Sequence, residues 1–469
     1  VLTIHPLHAG DATASSIDGH RLRMPPHAEE PPAALKVDLV AAAAALAAES
    51  GRPPFVPEEV AQSGIGALFR TLLMARHPLL AAQLGAAGDT PPLPREAPKR
   101  VGRSAEWLLA FSELCLYLQR EAAGQGEEGM RMEDLVSELT LGEGASGTVR
   151  LARHRFSGRI YAVKIFDKAR LAKGQNGRAL LRYIEREREV LQLLSTKLRG
   201  DKTSAHMVRY VCSGQDGPTL RLVMPACLGG ELWNVLAEFG AMSEAEARFY
   251  AGCLTLALQK LHAIGVVYRD LKPENVLLSH TGWPVIADFG LATVGSLDDR
   301  PLYSMCGTPE FMAPEVVRSL GYGPSADWWS LGVLICQCLT LATPFADPHG
   351  RAQMTFSNIV RGRVTAERSQ HYRMVCSTHA VSLLDALLQP EPSKRLGDTR
   401  RDAGRIRVHP FFWGLDWQAL EERRLTPPHA DFCAHTAEKL LASHHTAPPE
   451  RAGEGMELTA EQQQLFAHW

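Results

Sequence analysis

The sequence predicts an α+β fold, with strands gathered first and helices after. Three observations predict it. Thr148 to Ala152 and Ile160 to Phe166 alternate apolar and polar residues on either side of a turn near Ser157-Gly158, the pattern of half-buried strands. A charged helix is expected over Ala179 to Leu194. After Gly230 the chain reads as mostly helical to about Phe412. A run of strands followed by a run of helices is the α+β arrangement.

Ahead of that region the composition differs. The 469 residues amount to about three domains' worth of chain at roughly 150 residues each. The first 100 hold 21 Ala and 13 of the 30 Pro. Pro-Pro pairs at 25–26, 31–32, 53–54 and 91–92 cut them into short pieces, because proline ends helices and supplies no ladder donor. Helical spacing is found over Ala33 to Ala48, Val60 to Leu84 and Ser104 to Glu121. The last has Ser104 as a candidate N-cap and Trp107, Phe111, Leu114 and Leu118 in one stripe. Gly124 to Gly129 reads as a flexible joint, and from Leu425 the chain is a loosely patterned tail. The expected division is an Ala/Pro-rich extension with short helices over 1–133, a folded domain over 134–415 and a tail over 416–469.

Composition excludes several function classes. Fifty Lys and Arg against 52 Asp and Glu leave a net charge of −2, without the basic excess that nucleic-acid binding requires. The apolar run Leu39 to Ala48 is mostly alanine and falls short of the roughly 20 residues that cross a bilayer. Nine Cys without a CxxC pair read as reduced thiols in a cytoplasmic protein. The chain opens with Val1 rather than Met, so it reads as a fragment.

Five local motifs follow one another along the chain. Gly142-Glu143-Gly144-Ala145-Ser146-Gly147 is a GxGxxG, which alone is a weak signal. Here Val149 and Leu151 alternate with Arg150 beyond it, so the loop joins two strands instead of opening a helix. Such a hairpin lets backbone N–H groups approach phosphates, with Val149 placed to roof a base. In Tyr161-Ala162-Val163-Lys164-Ile165-Phe166, alternation puts Ala162 and Lys164 on one strand face. A buried lysine needs an anion, and Glu185, Glu187 and Glu189 on the following helix are the candidates. In Tyr268-Arg269-Asp270-Leu271-Lys272-Pro273-Glu274-Asn275, Asp270 can accept a hydroxyl proton, Lys272 can neutralise a transferring phosphoryl group and Asn275 can ligate a metal. Asp288-Phe289-Gly290 offers a hard carboxylate ligand for Mg²⁺ on a hinge, and Ala313-Pro314-Glu315 follows.

These motifs, in this order, resemble the eukaryotic protein kinases over about Leu135 to Leu415. Tyr268, Cys306-Gly307-Thr308-Pro309-Glu310 and Lys394-Arg395-Leu396-Gly397 make the chain similar to the AGC group of serine/threonine kinases. Ala226-Cys227-Leu228-Gly229-Gly230-Glu231-Leu232-Trp233 and His409-Pro410-Phe411-Phe412 resemble the cGMP-dependent branch, although no FGE–RxA pattern for a cyclic phosphate is present.

The resemblance implies a bilobal fold, a small antiparallel β lobe plus a large helical lobe. ATP and Mg²⁺ are the implied cofactors. Leu141, Gly142, Gly144, Gly147, Val149, Ala162, Lys164, Met224, Cys227, Glu231 and Leu277 are the implied nucleotide site. Asp270, Lys272, Lys164 and Glu187 are the implied catalytic residues, and Asn275 and Asp288 the implied Mg²⁺ ligands. Glu315 is expected to bridge to Arg395. Substrates are expected to carry basic residues upstream of Ser or Thr, met by Glu231 and Glu274, with Gln337 in place of a further carboxylate. Met305, Pro309 and Met312 are expected to line the next pocket. The 1–133 extension is a candidate regulatory or partner-binding module. Ser146 stands where an aromatic usually caps the glycine loop. Ser304 matches the activation-loop phosphosite, with Thr293 and Tyr183 where the family has cations and Arg269 kept. Phe466 and Trp469 are expected to fold back onto the small lobe. A different class, a pseudokinase scaffold, is the rival reading.

Overall fold

The computed structural model describes residues 130–144, 147–155, 157–295, 301–362, 373–398, 403–443 and 459–469. The helices expected within 1–121, the joint at 124–129 and Ser146 lie outside these residues. The chain forms two units, and the described part of the smaller is 130–136 with Arg153–Arg159. Within it the Arg155 N–H donates to Asp134 O at 2.9 Å, and Ser157 Oγ meets His154 Nδ1 at 3.0 Å. The larger unit, Ser137–Ala152 with Ile160–Trp469, carries most of the sheet and the helices.

The sheet has five strands: β1 (Leu135–Gly144), β2 (Gly147–His154), β3 (Ile160–Asp167), β4 (Cys212–Gln215) and β5 (Thr219–Pro225), in the order β1-β2-β3-β5-β4. β5 runs antiparallel to β3 and β4, with Ala162 opposite Met224 and Lys164 opposite Leu222. The helix expected over Ala179 to Leu194 is longer: α1 runs Gly174–Lys197. Its first turn was hidden by two low-propensity glycines. At Gly177 the carbonyls of Arg170 and Leu171 occupy the space a Cβ would need, so close packing selects the glycine.

The helical lobe contains α2 (Leu232–Phe239), α3 (Glu244–Ala263), α4 (Ser325–Thr340), α5 (Ala352–Arg361) and α6 (Thr378–Leu387). A reciprocal cap starts α3: the Ser243 N–H donates to Glu246 Oε2 at 2.7 Å and the Glu246 N–H to Ser243 Oγ at 3.3 Å. α4 is apolar on every side and accordingly buried from Ser325 to Cys336. Trp328 and Trp329 are fully buried on it, and the Trp329 ring stacks on Phe345 at 4.9 Å. Two short pairs, β6 (Val266–Val267) with β9 (Thr293–Val294) and β7 (Val276–Leu278) with β8 (Pro284–Ile286), frame the loops that carry the motifs.

The tail is more ordered than its sequence suggests. A helix, α7, spans Ala430–Ala442 and buries Cys433 and Ala437, small side chains that make a faint hydrophobic stripe. Leu440, Leu441 and Ala437 pack with Leu151 of β2 and Leu228. Phe466 and Trp469 do fold back onto the small lobe. Phe466 is 2% exposed. Trp469 Nε1 donates to Gly214 O at 2.8 Å, its ring meets Phe166 edge-on at 6.2 Å, and the Arg188 guanidinium of α1 lies over it at 4.5 Å.

Two predictions follow from this packing. Phe466→Ala removes a buried aromatic, a loss of about 3 kcal/mol, and deletion of 460–469 removes the whole patch. Each should lower the melting temperature by several degrees in a thermal scan; an unchanged value would mean that the terminus does not hold the lobe. His206 is 1% exposed, its Nδ1 lies 3.2 Å from Pro284 O, and burial, aided by the Arg423 guanidinium, pushes its pKa down to about 4. Between about pH 6.5 and 4 the unfolded chain therefore binds a proton that the folded chain refuses, so acidification through this window destabilises the fold. The loss should reach about 2 kcal/mol at pH 5 and vanish above pH 7. Urea midpoints at pH 7.5 and 5.0 test this, and His206→Gln should flatten the difference.

Candidate active site

The β1–β2 hairpin supplies the glycines. At Gly142 and Gly144 the space where a Cβ would stand is open, so internal packing does not require glycine there. At Gly147 it does: φ is +150°, and a Cβ would collide with Ile165 O of β3. Leu141 is 36% exposed on β1, and Val149 is half-buried on β2. Ala162 and Met224 are cross-strand neighbours, and Cys227 follows β5 with burial pushing its thiol up to about 11. Glu231 and Leu277 form an isolated bridge, which ties the end of this linker to β7.

Of the three candidate partners for Lys164, the structure brings Glu187 to it: Nζ and Oε1 are 2.5 Å apart and Glu187 is fully buried. Asp288 Oδ1 lies 3.9 Å from the same ammonium. Burial opposes the charge on Lys164, but Glu187 and Asp288 together outweigh it and hold its pKa above the ordinary value.

Asp270, Lys272 and Asn275 form one network. Asp270 Oδ1 accepts the Thr308 N–H and the Thr308 hydroxyl, both at 2.9 Å. Its Oδ2 accepts Asn275 Nδ2 at 2.8 Å and lies 3.1 Å from Lys272 Nζ. Lys272 also donates to Thr308 Oγ1 at 2.8 Å. The preceding Arg269 has φ 74°, a strained value for a non-glycine residue. Asp327 on α4 holds it there: its carboxylate accepts the N–H groups of Tyr268 at 2.9 Å and Arg269 at 2.8 Å, and His262 Nε2 lies 2.7 Å away. Such an arrangement can orient an acceptor hydroxyl and place a cation beside a phosphoryl group in flight.

Asp288 follows β8, with φ 54°. The Ala287 N–H donates to Asn275 O at 2.9 Å, which fixes the two expected metal ligands in adjacent chain segments. Burial raises the Asp288 pKa, but Lys164, the Tyr183 hydroxyl and the Gly290 N–H together overcome it and hold the carboxyl below its ordinary value. The donor set suits Mg²⁺, which prefers oxygen: an ionised carboxylate, and an amide whose nitrogen is already committed to Asp270, with its oxygen remaining.

Farther out, Arg269 Nη1 donates to Ser304 Oγ at 2.8 Å and to the Tyr322 hydroxyl at 3.1 Å. Arg395 grips Glu315 with two nitrogens, at 2.7 and 3.0 Å, as expected. Thr308, Asp327 and Tyr322 were not singled out by sequence reasoning. An acid at the head of an otherwise apolar helix was the available signal for Asp327, since a buried carboxylate must have donors.

A β lobe and a helical lobe, with a lysine–glutamate pair in the one and a hydrogen-bonded aspartate loop in the other, define a phosphotransferase class of fold. The chain belongs to the protein kinase domain family, whose model matches residues 135–412. It is 36% identical over 298 residues to the cAMP-dependent protein kinase catalytic subunit of Arthrobotrys oligospora, covering 64% of this chain and 53% of the relative. A serine/threonine protein kinase of Aspergillus fumigatus is 32% identical over 369 residues, covering 78% and 55%. A cGMP-dependent protein kinase of Drosophila melanogaster is 32% identical over 314 residues, covering 66% and 31%. These relatives are AGC kinases, and the chain spans about half of their length or less.

Proposed function

We propose that the protein is a serine/threonine kinase that transfers the γ-phosphoryl of MgATP to hydroxyls set in basic peptides. The observation that carries this reading is the Asp270 network, in which Thr308, Asn275 and Lys272 leave the carboxylate one orientation. Asp270 takes the proton of the substrate hydroxyl as the oxygen attacks, and Lys272 offsets charge on the phosphoryl oxygens. Lys164, held by Glu187, would meet the α- and β-phosphates, and Gly142, Gly144 and Gly147 would let the backbone approach them. Leu141, Val149, Ala162, Met224 and Leu277 enclose the base, while Cys227 and Glu231 bind from the linker. Asn275 and Asp288 would hold Mg²⁺, which would supply neutralisation of phosphate charge. Little covalent chemistry is asked of the chain; positioning and electrostatics are its work.

Glu231 and Glu274 support the basic-substrate reading. Burial raises the Glu231 pKa, Glu274 raises it further, and Lys272 only partly opposes them. A guanidinium bound between the two carboxylates would relieve that repulsion. Gln337 Oε1 is buried without a partner among the described residues and can accept a hydrogen bond, but offers no charge. Met305, Pro309 and Met312 favour an apolar residue after the acceptor.

The proposed division is 1–133 as an extension serving regulation or partner binding, 134–415 as the kinase domain and 416–469 as its tail. The described cysteines are free thiols, which supports a cytoplasmic setting. Among the described residues no helix is long and apolar enough to cross a membrane.

Lys164→Met and Asp288→Asn should each lower kcat more than tenfold, a barrier increase above about 1.4 kcal/mol, with the melting temperature little changed. A variant keeping most of its turnover would remove that residue from the mechanism. On a peptide array, arginine three residues upstream of the acceptor should dominate. Gln337→Glu should sharpen arginine selection two residues upstream by about 1–2 kcal/mol. A preference for acidic or proline-directed peptides would overturn the substrate assignment.

A further inference from the structure

Tyr183 and Glu187 stand one turn apart on α1, so both side chains leave the same face of the helix. Glu187 holds Lys164. Tyr183 reaches instead across to Asp288, where its hydroxyl donates to Oδ1 at 2.8 Å. The side chains close a ring, because Lys164 Nζ is 3.9 Å from that same Oδ1. The Gly290 N–H also donates to Oδ1, at 3.3 Å. The hydrogen bonds and the ion pair of this carboxylate among the described residues therefore all fall on Oδ1, and Oδ2 takes part in none of them. The Tyr183 ring fills the space that a Cβ on Gly290 would need, so the phenol is seated against the backbone next to the carboxylate.

We infer that Tyr183 is a positioning residue: it fixes the rotamer of Asp288 so that Oδ2 is presented to the metal, and it ties the metal carboxylate directly to α1. The inference rests on the reading of Asp288 as a Mg²⁺ ligand. A carboxylate on a backbone with φ 54° is in a strained setting, and without the phenol its restraints are a long amide contact at 3.3 Å and the Lys164 ammonium at 3.9 Å, neither at close hydrogen-bond distance. Tyr183 supplies the shortest of the three contacts, at 2.8 Å. Its tie also makes α1 a shared support: displacing this helix would loosen Lys164 and Asp288 together.

Tyr183→Phe tests this, because it keeps the ring against Gly290 and deletes only the donor. ATP binding to the full chain is measured by calorimetry with and without Mg²⁺, with no peptide present. In the wild type Mg²⁺ should tighten ATP binding. In Tyr183→Phe that gain should fall about tenfold, as for other groups that orient a metal ligand, while the Mg²⁺-free affinity and the melting temperature stay put. Turnover of the variant should be restored by raised Mg²⁺, with KM for peptide unmoved. An equal Mg²⁺ dependence in the two proteins would overturn the inference and leave Tyr183 as packing alone. A wild type whose ATP binding ignores Mg²⁺ would overturn the reading of Asp288, and this inference with it.

Discussion

The Asp327 carboxylate is the constraint on which the site depends. It is fully buried in α4, the most enclosed helix of the described chain, and a carboxylate there must be met by donors. Three donors converge on it: the Tyr268 and Arg269 N–H groups and His262 Nε2. Trp328 and Trp329 seat α4 in the core, so the loop that begins at Tyr268 is anchored to a buried element. Arg269 is held in a left-handed backbone conformation that it would not choose alone. From that fixed point Asp270 faces Thr308, and the Arg269 side chain reaches Ser304 and Tyr322. Core packing, loop strain and the aspartate network are thus one connected structure.

The small lobe is organised differently, around α1. Its inner face carries Ile184, Glu187, Leu191 and Leu194, all buried. Glu187 is the polar member of an apolar stripe, which is why its charge must be answered by Lys164. The other side of the helix is held from the chain's end: Arg188 stacks on Trp469, and its Nη2 donates to His468 O at 2.9 Å. Trp469 in turn bonds Gly214 and packs on Phe166 of β3. A segment remote in sequence therefore bears on the helix that positions the lysine, and sheet, helix and tail are joined by direct contacts.

Much of the site was legible because its pieces are local. Residues 268–275 are contiguous, so loop chemistry could be read directly, and strand alternation put Lys164 and Ala162 on one face. Among Glu185, Glu187 and Glu189 the residues left the choice open and the resemblance implied Glu187, which the structure buries on the same face as Ile184 and Leu191. The helix Ala430–Ala442 was not legible, because Cys433 and Ala437 are too small and weakly apolar to mark a stripe.

By itself, then, the sequence determined the order of strands and helices and the glycine hairpin, and it marked Lys164, Asp270, Lys272, Asn275 and Asp288 as candidates, since each of these features depends on neighbours within a few residues. Tertiary structure alone decided their partners. Asp327 meets Arg269 across 58 residues of chain, Tyr183 meets Asp288 across 105 and Trp469 meets Gly214 across 255. The physical reason is that periodicity records only which face of an element is buried. Which distant donor fills a buried acceptor is settled when the faces pack.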